Sequence, residues 1–156
     1  MNVYEIAPWL YVGTMPEAED APALHDRGIT HVVDVSGREG GVTHLDHGFR
    51  GLRLICDDPP RGWQHGDVRT QGDGWYGAAI GFAIGALAEN PSAKVLVHCW
   101  AGSERSPSLA LAMLVAIDHR DPTDALALVR GAIPHAGISY RDEAARVGMF
   151  WFESFR

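Results

Sequence analysis

Basic residues are scarce in this chain of 156 residues. Lysine occurs once, at Lys94, and 13 lysines and arginines face 20 aspartates and glutamates, a formal net charge of −7 with histidine neutral. Nucleic acids and anionic membrane surfaces call for a basic face, so this balance argues against both as partners. Cysteine is rarer still: Cys56 and Cys99 are too few and too far apart for a disulfide framework or a zinc site, and reduced thiols are the expectation. Long apolar runs are missing as well. The longest, residues 76–88, contains three glycines and falls short of the ~20 residues of a membrane span. The opening Met1-Asn2-Val3-Tyr4-Glu5 lacks the basic and apolar regions of a secretory signal, which points to a soluble cytoplasmic chain. What is present suffices for a core: 46% hydrophobic and 21% charged residues are ordinary globular proportions, and one domain spanning 1–156 is expected.

Short strands dominate the first third. Residues 9–12, Trp-Leu-Tyr-Val, form an apolar run closed by Gly13; residues 31–35, His-Val-Val-Asp-Val, are β-branched and stop at Ser36-Gly37; Leu52, Leu54 and Cys56 alternate with Arg53 and Ile55. Between the first two runs, residues 16–27 read as a helix, with Ala18, Ala21 and Leu24 at helical spacing and Gly28 as a glycine cap. After residues 57–74, rich in Gly, Pro and Trp, the period changes to about 3.6. Helices are predicted over 75–89, 105–117, 122–130 and 140–151, with a buried strand at 94–97. Asp121-Pro122 supplies an N-cap and a first-turn proline for the third of these helices. Strands with helices on both faces predict an α/β fold built on a central, mostly parallel sheet of four to five strands.

The chemistry concentrates in residues 95–107, Val-Leu-Val-His-Cys-Trp-Ala-Gly-Ser-Glu-Arg-Ser-Pro, which pass from a buried strand to a core helix through a tight loop. Such a loop aims its amide groups and the positive end of the helix dipole at one point, a site for a phosphate dianion. Gly102 lets the backbone turn around that anion, and Arg105 can hold two of its oxygens at once. At the bottom of the same nest Cys99 is favoured as a nucleophilic thiolate. A cysteine followed six residues later by an arginine arises by chance in about one chain in six of this composition, so the pair alone is weak. Requiring also His98, Gly102 and Ser106 lowers the chance to roughly a few in 10⁵. Cys56 is the internal control, since Gly62 stands six residues after it.

This segment resembles the signature loop of cysteine-dependent phosphatases, His-Cys-x5-Arg-Ser/Thr, in the form of the dual-specificity branch. The likeness extends to residues 6–13, Ile-Ala-Pro-Trp-Leu-Tyr-Val-Gly, to 21–24 and 28–35, and to 125–130 and 134–137, while residues 57–74 match poorly. It implies the phosphotyrosine protein phosphatase-like fold and a two-step transfer without metal or other cofactor. Cys99 would attack phosphorus while Arg105 and the loop from Trp100 through Ala101, Gly102, Ser103 and Glu104 hold the equatorial oxygens. Ser106 would hydrogen-bond to the departing sulfur, and His98 would be a scaffold that orients Cys99. One carboxylic acid can protonate the leaving oxygen and then activate water. Asp58 is favoured for it, as the next same-face position after Leu52, Leu54 and Cys56; Asp57 is second, and Asp67 matches the family's usual distance from the cysteine.

Residues 59–69 would rim the pocket as a lid, with Trp63 or Trp75 against an aromatic leaving group and Arg61 or Arg69 meeting acidic substrate residues. A solvated loop is an equally good reading. Glu104 departs from the family's neutral or basic loops and argues against polyanionic lipids. Cys56 is read as a small core residue rather than a redox partner of Cys99. The expected substrate is a phosphorylated protein, through phosphotyrosine and with phosphoserine or phosphothreonine as further targets. The alternatives are a small-molecule or lipid phosphate ester and a catalytically weak phosphotyrosine-binding module.

Overall fold

A computed structural model describes residues 1–36, 47–54, 72–101 and 103–154. Five strands form one sheet: β1 Val3–Ala7, β2 Leu10–Gly13, β3 His31–Asp34, β4 Arg50–Arg53 and β5 Val95–His98. Their order is β1-β2-β5-β3-β4, with β1 antiparallel to β2 and every other pair parallel. The helices are α1 Ala21–Asp26, after a 3-10 turn at Ala18–Asp20, then α2 Asp73–Glu89, α3 Arg105–Ile117, α4 Pro122–Ala132 and α5 Arg141–Ser154. The predicted mostly parallel sheet between helices is the observed architecture.

The period-two alternation of the central strands divides the core. Leu10, Val12, Val33, Val35, Val95 and Val97 pack with the helices α2 to α5 in the main cluster. Tyr11, Val32 and Leu96 turn to the other face and meet Ala21 and Leu24 of α1. On β5 the run Val95-Leu96-Val97 thus feeds both layers, which is why a central parallel strand reads as continuously apolar. Gly28 closes α1 at φ +82°, with its amide donating to His25 O at 2.8 Å, the conformation in which glycine carries no Cβ penalty.

Helix α3 is buried from Arg105 to Ala116, as its all-round apolar sequence demands. It crosses α5 so closely that a Cβ on Gly148 would lie 2.8 Å from Val115 Cβ and 2.9 Å from Ala112 O. Asp121 caps α4 by accepting from the Thr123 amide at 2.9 Å.

Boundaries differ from the sequence pattern where polar ends join the ladder. The strands expected at 9–12 and 94–97 run one residue later, because Gly13 and His98 pair with each other across β2 and β5. The helix expected over 16–27 is only a 3-10 turn followed by α1. Strand β1 escaped the pattern: it is an edge strand with a register shift between Glu5 and Ala7, and its burial does not alternate. Strand β4 ends at Arg53; Leu52 and Leu54 both pack on the main cluster, as their shared face required, while Cys56 lies outside the described residues.

Candidate active site

Strands β3 and β5 run parallel with Asp34 opposite His98, so their carboxyl ends open side by side. In parallel α/β sheets this is the edge at which ligands bind. From β5 the chain continues through Cys99 to the first turn of α3, and a pocket of about 120 Å³ is lined by Cys99, Trp100, Ala101, Ser103, Glu104, Arg105 and Tyr140. Gly102 lies outside the described residues. Trp100 stands at the mouth, 49% exposed, whereas Cys99 is buried.

Three ties hold the loop, one from beyond β2 and two from the connection between α4 and α5. Trp100 O accepts from the Met15 amide at 3.1 Å, beyond the end of β2. Ser103 O accepts from the amides of Gly137 at 3.0 Å and Ile138 at 3.4 Å, in the connection between α4 and α5. Ile138, fully buried, takes φ +50°, a left-handed conformation that costs a β-branched residue roughly 1–3 kcal/mol and persists only where the surroundings fix it. The third tie is Glu104, whose carboxylate accepts from the Ser139 amide at 3.0 Å and from the Ser139 hydroxyl.

The side chains named from the sequence come together here. Ser106 Oγ donates to Cys99 Sγ at 3.1 Å. Arg105 is buried, and its Nη1 donates to Ser36 O at 2.8 Å, just past β3. His98 Nδ1 is 3.3 Å from Cys99 O and 3.9 Å from Asp34 Oδ1. Asp57, Asp58 and Asp67 lie outside the described residues, as do Arg61, Trp63 and Arg69. Of the two aromatic rim candidates, Trp75 is excluded: it is buried in the core, edge-on to Tyr76, and does not line the pocket.

Two residues of the site were not read from the sequence. Tyr140 lines the pocket from the residue just before α5, where the sequence marks it only as the start of the last predicted helix. Asp34 is 1% exposed, accepting from the Ser36 amide at 2.8 Å and from Arg53 Nε at 3.0 Å. Burial alone would push its carboxyl up, but His98, the Ser36 hydroxyl and amide, and Arg53 together hold it below the ordinary carboxylate range. The usable signal was a carboxylate ending an apolar, β-branched run, an expensive place for a charge without partners.

A buried cysteine at the end of the central parallel strand, an arginine in the first turn of the next helix and a loop of backbone donors between them define a class. In sequence and in fold the chain shows strong homology to the cysteine-dependent protein-tyrosine and dual-specificity phosphatase superfamily. It is 33% identical over 139 residues to human dual specificity protein phosphatase 26, which covers 85% of this chain and 62% of that protein. Against human dual specificity protein phosphatase 2 the identity is 32% over 111 residues, 71% of this chain and 32% of that one. The chain thus spans less than two thirds of the length of either relative. In fold it resembles the crystal structure of PTPMT1 in complex with PI(5)P, with a TM-score of 0.79 at 20% identity over 99% of this chain and 100% of that one. No protein-family model matches the chain. Among the described residues no helix is long and apolar enough to cross a membrane, and no group of His, Cys, Asp and Glu is arranged to hold a metal ion.

Proposed function

We propose that the chain hydrolyses a phosphate monoester through a cysteinyl-phosphate, and the observation that carries this is Cys99 at the floor of a pocket closed by Arg105 and the start of α3. In the first step Cys99 Sγ forms a bond to phosphorus as the ester oxygen leaves and takes a proton from the acid, for which Asp58 is the favoured residue and Asp57 the second. Arg105 and the loop amides stabilise the three equatorial oxygens. In the second step water, losing a proton to the same carboxylate, forms a bond to phosphorus and displaces the sulfur. The Ser106 hydroxyl, already directed at Sγ, stabilises the departing thiolate.

For the substrate, a small-molecule or lipid phosphate ester is the better-supported reading. The solved structure described above, similar over its whole length, holds PI(5)P. The sequence-based objection to acidic lipids also weakens, because the Glu104 carboxylate is bound to Ser139 instead of standing unpaired against a bound phosphate. Protein phosphotyrosine is the second reading, favoured by the sequence likeness to dual specificity protein phosphatases and by the half-exposed Trp100 beside Cys99, a surface for an aromatic leaving group.

The test is turnover of an aryl phosphate by the wild type and by Cys99→Ser, followed by a ranking of kcat/KM for a phosphotyrosine peptide against a soluble short-chain phosphatidylinositol monophosphate. Turnover lost in Cys99→Ser supports the chemistry, and the ranking assigns the substrate class. Phosphotyrosine peptide bound by the wild type without turnover would make the chain a binding module instead.

A further inference from the structure

One buried carboxylate touches both arms of the site without touching the pocket. Asp34 Oδ1 accepts from the Ser36 amide at 2.8 Å, and the carbonyl of that same residue is the acceptor that holds Arg105 Nη1 at 2.8 Å. The same oxygen stands 3.9 Å from His98 Nδ1, and that nitrogen lies 3.3 Å from Cys99 O. The backbone adds a further link, since the Val35 amide donates to His98 O at 2.8 Å. Three residues at the end of β3 therefore contact both the arginine and the residue preceding the cysteine.

We infer that Asp34 is the positioning residue of this site: it fixes the turn at Val35-Ser36 that aims Arg105 and the His98 ring that seats Cys99. The inference rests on the reading of Cys99 and Arg105 as nucleophile and anion holder. A carboxylate suits the place because it accepts on both oxygens at once, from Ser36 on one and from Arg53 on the other. An asparagine accepts on one oxygen only and presents an NH2 group to a donor on the other side, so one of the two contacts is lost and the buried turn loosens. The charge of Asp34 faces Arg53 from β4 and His98 from β5, with the Ser36 hydroxyl beside it.

The direction of the effect separates positioning from plain electrostatics. Removing a negative charge near an anion site should by Coulomb's law tighten anion binding. Loss of positioning weakens it instead. The experiment measures how much inorganic phosphate protects Cys99 from alkylation by iodoacetamide in the wild type, in Asp34→Asn and in the exposed control Asp26→Asn. The expected result is a protecting phosphate concentration about tenfold higher in Asp34→Asn, with kcat/KM for an aryl phosphate falling at least as far and the control unchanged. A lowered melting temperature with phosphate protection unchanged or tightened would show a merely structural carboxylate and overturn the inference. Should Asp34→Asn fail to fold, Arg53→Gln, which removes the partner from the exposed side, is expected to weaken protection about twofold to threefold; no weakening there would also overturn it. Protection does not require turnover, so a wild type that binds phosphate without hydrolysing esters would end the proposed function and leave the test of Asp34 intact.

Discussion

The ends of β5 and β3 stand opposite each other in the same sheet, and they serve the site in opposite ways. The β5 end, His98-Cys99-Trp100, carries the nucleophile of the proposed reaction and passes into the loop that lines the pocket. The β3 end, Asp34-Val35-Ser36, lines no part of the pocket, yet it carries the acceptor for Arg105 and the carboxylate beside His98. Reactive groups must be exposed to an incoming ligand at some point of the cycle, whereas the groups that fix them work best buried, where a hydrogen bond is strong and water does not compete. A chemical step is therefore read from the first strand end, and the accuracy of its geometry from the second.

Variants at the reacting end should have the largest effects. Cys99→Ser is expected to remove turnover by about 10⁴-fold or more while the melting curve barely moves, measured as aryl phosphate hydrolysis beside a thermal scan. Arg105 bridges the two ends. Arg105→Lys should lower kcat/KM by roughly 10²- to 10³-fold, since an ammonium cannot hold Ser36 O and two phosphate oxygens in one plane. A loss below tenfold would mean that the bridge to β3 is dispensable and would break the comparison. Glu104 lies at the reacting end but is tied to Ser139. Glu104→Ala is expected to lower Tm by about 3–6 °C and leave phosphate protection of Cys99 within twofold, the mark of a supporting residue inside the loop.

The smallest effect is a pH dependence that belongs to the β3 end. Because the folded structure holds the Asp34 carboxyl below its ordinary range, the unfolded chain binds the proton more readily. The stability this contributes is fully present above the unfolded value and is lost as pH falls through the folded one. Urea melts between about pH 5 and pH 2 should lose less stability in Asp34→Asn than in the wild type. Parallel curves would remove Asp34 from the acid response.

Legibility followed the same divide. The run from Val95 to Pro107 was readable because an apolar strand, a short glycine-bearing segment and an apolar helix carry a cysteine, an arginine and a serine at spacings that chance seldom produces. The mostly parallel sheet was readable from β-branched runs and from the change of period after residue 74. Asp34 was not, since its meaning depends on a neighbour 64 positions away in the chain, and no local pattern records that His98 lies opposite it. Tyr140 was hidden for a related reason: the connection before α5 folds back onto Ser103 through backbone bonds and onto the Glu104 carboxylate through Ser139, 35 positions away in the chain, and no local pattern records either contact. Strand β1 shows the limit of periodicity at a sheet edge, where a register shift disturbs the alternation.

The acceptor that holds Arg105 is the main-chain carbonyl of Ser36, and this gives the site an uneven tolerance to genetic change. Every amino acid carries that carbonyl, so codon changes at position 36 cannot delete the acceptor itself. They can act on it only by bending the path of the chain, and Asp34 is the side chain that fixes that path. Random mutagenesis scored for phosphate binding should therefore return several small residues at position 36, whose side chain is buried and whose amide must stay free to donate to Asp34, and very few of any kind at position 34.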